Sequence, residues 1–352
     1  MESPKGRLTR PRPAVTTGLT TGICLFLVLV LAGGQTFGQQ SKQQKIKQAM
    51  EYFNAAEFDK TIELLSSLAD DTSLDKVERR GVLLELGRAY FAKNLQGKAK
   101  EVIAKLLDLE PPLVTLDPDA EAPPMMKIYY DVRKIKSGST LVEKADPGMK
   151  TLAILDFKNR SVDDKVKFDP MEKGFSELMI GQLNGSVNLK VIERERIQWI
   201  LDEIGLENDP AKFDVGSAVR VGKQLGVHSV LLGSFIKFKN DLWLGIRLVK
   251  VETSEILATD EIRGEADDFF ELAEKLSVKI AKKINANLSE ADAKKGTETN
   301  SLDAMLTYSE GLVYLEKANY KAAYDKFQEA LKLDPNYSKA KTKADSLKPL
   351  LG

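Results

Sequence analysis

Cysteine and histidine are almost missing from this chain: Cys24 and His228 are the only ones in 352 residues. Metal sites built from thiolates and imidazoles, disulfides and cysteine–histidine nucleophilic pairs are excluded by that scarcity. An excess of charge is lacking too, because 52 lysines and arginines meet 52 aspartates and glutamates. A balanced chain has no electrostatic reason to seek nucleic acid. Glycines are scattered, and none forms a phosphate-binding loop or a dinucleotide fingerprint after a predicted strand. Gly181, Gly185, Gly222, Gly226 and Gly233 read as helix ends and strand turns. No cofactor is implied.

What is present describes a soluble, helix-rich protein, with 43% hydrophobic beside 30% charged residues. The length suffices for two or three domains with their own cores. Near the amino terminus, Lys5, Arg7, Arg10 and Arg12 precede an apolar run from Ile23 to Ala32, followed by Gly33, Gly34 and Gly38. This is the layout of a secretory signal peptide over residues 1–38, with cleavage expected after Gly34 or Gly38 and retention as an anchor as the alternative. Cys24 lies inside the apolar run, whereas a lipoprotein signal would place its cysteine just after it.

Residues 41–136 read as helical throughout and contain a repeat. Ala49, Tyr52, Thr61, Leu65 and Leu68 recur at a constant offset as Gly87, Tyr90, Ala99, Ile103 and Leu106, and again over residues 301–352 as Gly311, Tyr314, Ala323, Phe327 and Ala330. A small residue where two helices touch, an aromatic one turn on and a small residue in the second helix form the packing signature of a helix–turn–helix repeat. The pattern resembles the tetratricopeptide family. Tyr90, Tyr314 and Phe327 are expected in the core of the repeats. Arg88, Phe91, Tyr308 and Glu316 are expected on the concave side, where such arrays hold partner peptides, and are the candidate partner-binding residues. A proline-dense connector from Pro111 to Pro124 and a helix from Met125 to Ile135, capping the repeats, follow the first block.

Residues 149–288 alternate between short apolar runs and amphipathic stretches. Strands are expected at Leu152 to Phe157 and Leu189 to Ile192, each leading into a helix, and a further helix from Val215 stops at Gly226. Ser229 to Lys239, Leu242 to Val251 and Glu255 to Arg263 are joined by connections short enough only for antiparallel hairpins. A long helix with Phe269, Leu272, Leu276, Ile280 and Ile284 on one face closes the unit. Residues 289–300 are polar without apolar period and read as a hinge. The fold class is α+β: a central α/β sandwich with a mixed sheet, flanked by all-α helix pairs.

Several strings in this central unit occur in a telling order. They are Leu152-Ala153-Ile154-Leu155-Asp156-Phe157, Val191-Ile192-Glu193-Arg194 followed by Ile200-Leu201-Asp202-Glu203, Leu225-Gly226-Val227 leading to Leu231-Leu232-Gly233-Ser234, and Arg247 to Val251 before Thr253. Together they resemble the curli-export CsgG family and its relatives with a TolB-amino-terminal-like fold. The resemblance implies export or envelope-assembly work.

Candidate catalytic groups weigh less than structural ones. Early glutamates in Glu193-Arg194-Glu195-Arg196 suit a helix start, and the arginines suit acids one turn away. Asp163, Asp164 and Asp169 lack the spacing of a calcium loop, and His228 lacks an orienting partner for base chemistry. No catalytic or metal-binding constellation is found. The expected function is a non-enzymatic extracytoplasmic scaffold, in the periplasm or envelope of a Gram-negative-type bacterium. It would bind protein partners through its repeat grooves in a secretion, cell-surface or cell-wall system. Peripheral outer-membrane association and homo-oligomerisation are compatible with this reading. The alternative is a subunit of a CsgG-type outer-membrane secretion channel, which would need long lipid-facing hairpins.

Overall fold

The computed structural model describes residues 41–109, 116–138, 148–206 and 213–351. The segment read as a signal peptide lies outside them, as does the Pro111-Pro112 part of the connector. Residues Ser41–Gly352 form one compact unit.

Five helices come first: α1 (Lys42–Asn54), α2 (Phe58–Ser66), α3 (Lys76–Ala92), α4 (Gln96–Leu107) and α5 (Pro123–Ser137). Ser41 and Asp75 open α1 and α3 with reciprocal capping boxes to Gln44 and Glu78, which satisfy backbone donors the helices leave unpaired. Prolines start α5, and Gly138 ends it in the left-handed conformation at φ +66°. Next come β1 (Lys150–Ile154), β2 (Lys158–Asn159), α6 (Lys165–Phe168), α7 (Met171–Leu183), β3 (Leu189–Val191), α8 (Arg194–Glu203) and α9 (Val215–Leu225). The hairpins β4 (Ser229–Phe238), β5 (Asp241–Lys250) and β6 (Ile256–Glu265) precede α10 (Phe269–Lys283) and α11 (Glu290–Lys295). The chain closes with α12 (Leu302–Glu316), α13 (Tyr320–Leu333), α14 (Ser338–Leu347) and a 3₁₀ turn, Lys348–Leu350.

The α+β reading holds. The sheet runs β3-β1-β4-β5-β6, with β2 beside β4; β1 is parallel to β3 and β4, and the two hairpins are antiparallel. The first hairpin turns through Lys239 and Asn240, Lys239 taking φ +51°. On one face, Leu152, Ile154, Leu231, Phe235, Leu244 and Leu248 pack under α7 and α10. On the other, Ala153, Leu155 and Val230 pack with residues of α8 and α9. That second core continues without a break through Trp199 and Tyr130 into α5 and on to Leu86, Ile103 and Ala49 of the first helices. The first helical block and the sheet therefore share one apolar interior. The last three helices have their own core, around Tyr308, Phe327, Tyr337 and Leu347.

The helix-pair repeat is visible in the turns. Ala56, Asn94 and Ala318 occupy equivalent places in the α1–α2, α3–α4 and α12–α13 turns, and all are left-handed, at φ +57°, +57° and +54°. Thr61, Ala99 and Ala323 are each fully buried in the second helix of their pair. Threonine is tolerated because its hydroxyl donates to the carbonyl oxygens of Ala49 and Glu57. Gly311 leaves no room for a side chain beside the Phe327 ring. Of the expected core aromatics, Phe327 is fully buried; Tyr90 is half-buried, and Tyr314 is exposed at 36%.

Two further expectations change. Gly181, Gly222 and Gly233 sit inside elements, not at their ends, and serve close approach: Gly222 against Val230 and Val251, Gly233 against the Phe157 ring, and Gly181 against the backbone of Gly296. That last contact helps to fasten the stretch read as a hinge. Residues 289–300 carry α11, whose Ala293 is fully buried, and Thr297 Oγ1 donates to Glu274. Small residues let the backbones meet, so a polar composition coexists with tight packing.

Replacing Ala323 with Phe should overpack the α12–α13 interface and cost about 1–3 kcal/mol. A fall in the denaturant midpoint at unchanged m-value is the expected result; an unchanged midpoint would contradict this packing.

Candidate functional site

The site is assembled where the last three helices meet the rest. Strand β1 runs on into Asp156, and α7 presents Lys173 and Ser176 toward its carboxylate. The Asp156 oxygens accept from Ser176 Oγ at 2.8 Å, Lys173 Nζ at 3.0 Å, and Arg194 Nε and Nη2 at 3.1 and 2.9 Å. Arg194, the first residue of α8, also pairs with Glu316 at the end of α12, and Lys173 bonds the same glutamate. Burial opposes ionisation of Asp156, but Arg194 and Lys173 outweigh it and hold the carboxyl well below its usual range. Arg194 is likewise held above its ordinary value by Asp156 and Glu316, against its own burial.

A second cluster lies beyond it. Lys343 of α14 is 2% exposed, and its ammonium donates to the Pro118 carbonyl oxygen at 3.2 Å, to Asp119 at 2.9 Å and to Glu195 of α8. Lys339, one turn earlier, pairs with Glu177 of α7. Burial works against both ammonium groups, yet Glu177 and Asp119 around Lys339, and Glu195 and Asp119 around Lys343, keep them above the ordinary lysine range. The two clusters join α7, α8 and the loop before α5 to α12 and α14. Gly174 of α7 completes the junction, since a side chain there would collide with Ser309 of α12.

Two crevices open at this junction, each of about 210 Å³. The first lies between α5, α8 and the α12–α13 turn, with Met126, Tyr130, Trp199, Leu315 and Tyr320 among its walls and Arg194 and Glu316 in its lining. Tyr130 and Trp199 pack with ring centroids 5.4 Å apart, and Trp199 Nε1 donates to Asp131. The second lies between the first helical block and the carboxyl end. Phe53, Arg88 and Phe91 line it from one side, Ser346 and Pro349 from the other.

The four predicted partner-binding residues are thus divided. Arg88 and Phe91 meet in the second crevice, where Arg88 is bound to Glu121 and Glu85. Glu316 lies in the first crevice, but its carboxylate is engaged inside the chain. Tyr308 reaches neither: it is fully buried, 5.2 Å from the Phe327 ring and 4.9 Å from Tyr337. The expectation that Tyr308 faces a concave surface is therefore corrected, because Phe327 of α13 and Tyr337, just before α14, pack against its ring. The arginine expectation changes as well, since Arg194 reaches acids 38 and 122 positions away, not one turn away. His228 Nδ1 accepts from the Thr151 backbone N–H at 3.1 Å and ties β1 to the start of β4.

Asp156, Lys173, Arg194, Lys339 and Lys343 carry the junction, and sequence reasoning did not group them. One usable signal existed: Lys339 and Lys343 share a helix face with Ala340, Ala344 and Leu347, all fully buried. A lysine pair on an apolar helix stripe asks for buried carboxylates.

Arg194→Leu should strand two carboxylates and destabilise the fold by about 3–5 kcal/mol, read as a lower unfolding midpoint; a change within error would refute the buried pairing. The pH dependence has two limbs. Stability from Asp156, whose folded pKa is depressed, is present above about pH 4 and lost as pH falls through the folded value. Stability from Lys339 and Lys343, whose folded pKa values are raised, is present below about pH 10 and lost as pH rises through them. A stability plateau between about pH 5 and 9 is expected, and a maximum outside it would contradict these signs.

Comparisons with known proteins cover part of the chain. The LpoB C-terminal domain from Escherichia coli aligns with 43% of this chain and 99% of its own, at 16% identity and TM-score 0.27. The lipoprotein GNA1162 from Neisseria meningitidis aligns with 38% of this chain and 97% of its own, at 13% identity and TM-score 0.28. TolB from Acinetobacter baumannii aligns over 40% of this chain but 30% of its own length, at 12% identity and TM-score 0.27. No curated protein sequence matches. Residues 137–245 match the family model of the curli production assembly/transport component CsgG, so that stretch of the chain is similar to this family.

Proposed function

We propose that the protein is a non-enzymatic scaffold of the bacterial cell envelope that binds protein partners in assembly or regulation of a secretion, cell-surface or cell-wall system. The crevice between α5, α8 and the α12–α13 turn carries this reading. Three of its charged groups are already spent on internal pairs, Arg194 on Asp156 and Glu316 and Glu195 on Lys343. What it offers a visitor is apolar wall, from Met126, Tyr130, Trp199 and Leu315, with Lys127, Gln198 and Tyr320 at a more accessible rim. Such a slot suits an apolar side chain of a partner, not a bond-making step.

The CsgG-type match supports the envelope placement. The three helix pairs, with their matching left-handed turns, support tetratricopeptide-like units as the partner-binding flanks. Against the channel alternative, the ten-residue strands β4, β5 and β6 are hydrogen-bonded within the domain's own sheet along their length, with short turns between them.

A photo-cross-linking residue at Gln198 should give a discrete protein adduct in envelope preparations. The adduct should fall about tenfold or more when Tyr320 is changed to Ser, an effect within reach of one truncated aromatic contact at an interface centre. A probe on the distant α10 surface at Lys282 should give none. Equal adducts from both probes would overturn the crevice assignment. Hydrolysis of a nucleotide or wall fragment by the purified chain, abolished by Asp156→Asn, would overturn the non-enzymatic reading.

A further inference from the structure

The half of the sheet farthest from α8 and α9 is left open on one face. Ile236, Phe238 and Trp243 line a shallow crevice there together with Val162 of the loop after β2. Ile236 is paired with Trp243, and Trp243 with Arg263, whose guanidinium lies 4.4 Å from the indole centroid. At the tip of the β4–β5 hairpin, the Lys239 backbone N–H donates to Asp163, and the Lys237 backbone N–H donates to Ser161. The loop with α6 and the hairpin tip therefore form one surface.

This surface pairs exposed apolar groups with cations. Val162 is 76% exposed, Val166 84% and Phe238 38%. Over residues 160–168 and 236–240 there are five cationic residues, Arg160, Lys165, Lys167, Lys237 and Lys239, against the acids Asp163 and Asp164. Lys165 pairs with Asp169, but Lys167, Lys237 and Lys239 make no ion pair with any described residue. Their ammonium groups lie over rings, Lys167 and Lys237 over Phe168 at 5.7 and 5.2 Å and Lys239 over Phe238 at 5.4 Å, and Lys237 Nζ also donates to the Lys239 carbonyl oxygen at 2.9 Å. Apolar side chains held out into water among lysines that make no ion pair suit an interface that is apolar below and negatively charged at its surface.

We infer that this tip is a peripheral docking surface for an anionic lipid bilayer, with Val162, Val166 and Phe238 entering the headgroup boundary and Lys167, Lys237 and Lys239 meeting lipid phosphates. The inference rests on the envelope placement proposed above but shares no residue with the partner crevice, so the Gln198 adduct reports on that reading separately.

The test uses the full chain with vesicles containing phosphatidylglycerol and a photoactivatable lipid, followed by peptide mapping of the adducts. Adducts should concentrate in residues 160–168 and 236–240, and be several-fold fewer on vesicles of phosphatidylcholine alone. Combining Val166→Asp with Lys167→Gln and Lys239→Gln should lower adducts in those two segments at least about tenfold, each lysine accounting for about fivefold. These three side chains are exposed, so an unchanged circular dichroism spectrum and unfolding midpoint should accompany the loss. Adducts spread evenly over the surface, confined to residues 1–40, or undiminished in the triple variant would overturn the inference. Cross-linking of the two segments to an acidic protein in place of lipid would overturn it as well.

Discussion

The ammonium of Lys343, buried between Glu195 and Asp119, is the contact on which the arrangement of the molecule depends. The first helices and the sheet need no such device, because one apolar core passes through both. The last three helices have a separate core and meet the centre through Met305 and Leu306, the Gly174–Ser309 approach and the two charge clusters. A well-packed apolar interface of the same size would hold as firmly, since desolvation offsets much of what buried ion pairs gain. Their contribution is to placement: an ammonium with three oxygen partners from two elements, the loop of Pro118 and Asp119 and helix α8, is satisfied in one docking position and stranded in others.

Docking in this way alters what the repeats can do. Free helix pairs present a concave groove, but here Tyr337, just before α14, lies against Tyr308, and the carboxyl end lines the same crevice as Phe53, Arg88 and Phe91. Surfaces that an isolated repeat would offer to a partner are partly taken up within the chain. What remains open lies at seams between blocks, where side chains from three elements form one wall.

Local patterns carried most of the fold. Short connections marked the hairpin strand β5, whose Leu242, Leu244, Ile246 and Leu248 all face the core. Gly226 ended α9 with φ +69°, as a residue without a Cβ can. The site was less legible, because its contacts join residues far apart in the chain. Arg194 could be seen to begin a helix, but nothing near it in sequence named Asp156 or Glu316 as partners. Tyr308 failed for a related reason: repeat periodicity assigns a helix face but does not say that another helix will cover it. The polar stretch 289–300 misled because composition conceals backbone contacts such as that of Gly296 with Gly181.

Native-state hydrogen exchange tests the linkage of the blocks most directly, by comparing the opening free energies of amides in α12–α14 with those in β4 and β5. Equal values, falling together in Lys343→Met, are expected if the charge clusters make the carboxyl-terminal helices part of one cooperative unit. Opening of α12–α14 at a distinctly lower free energy, unaffected by that substitution, would contradict it.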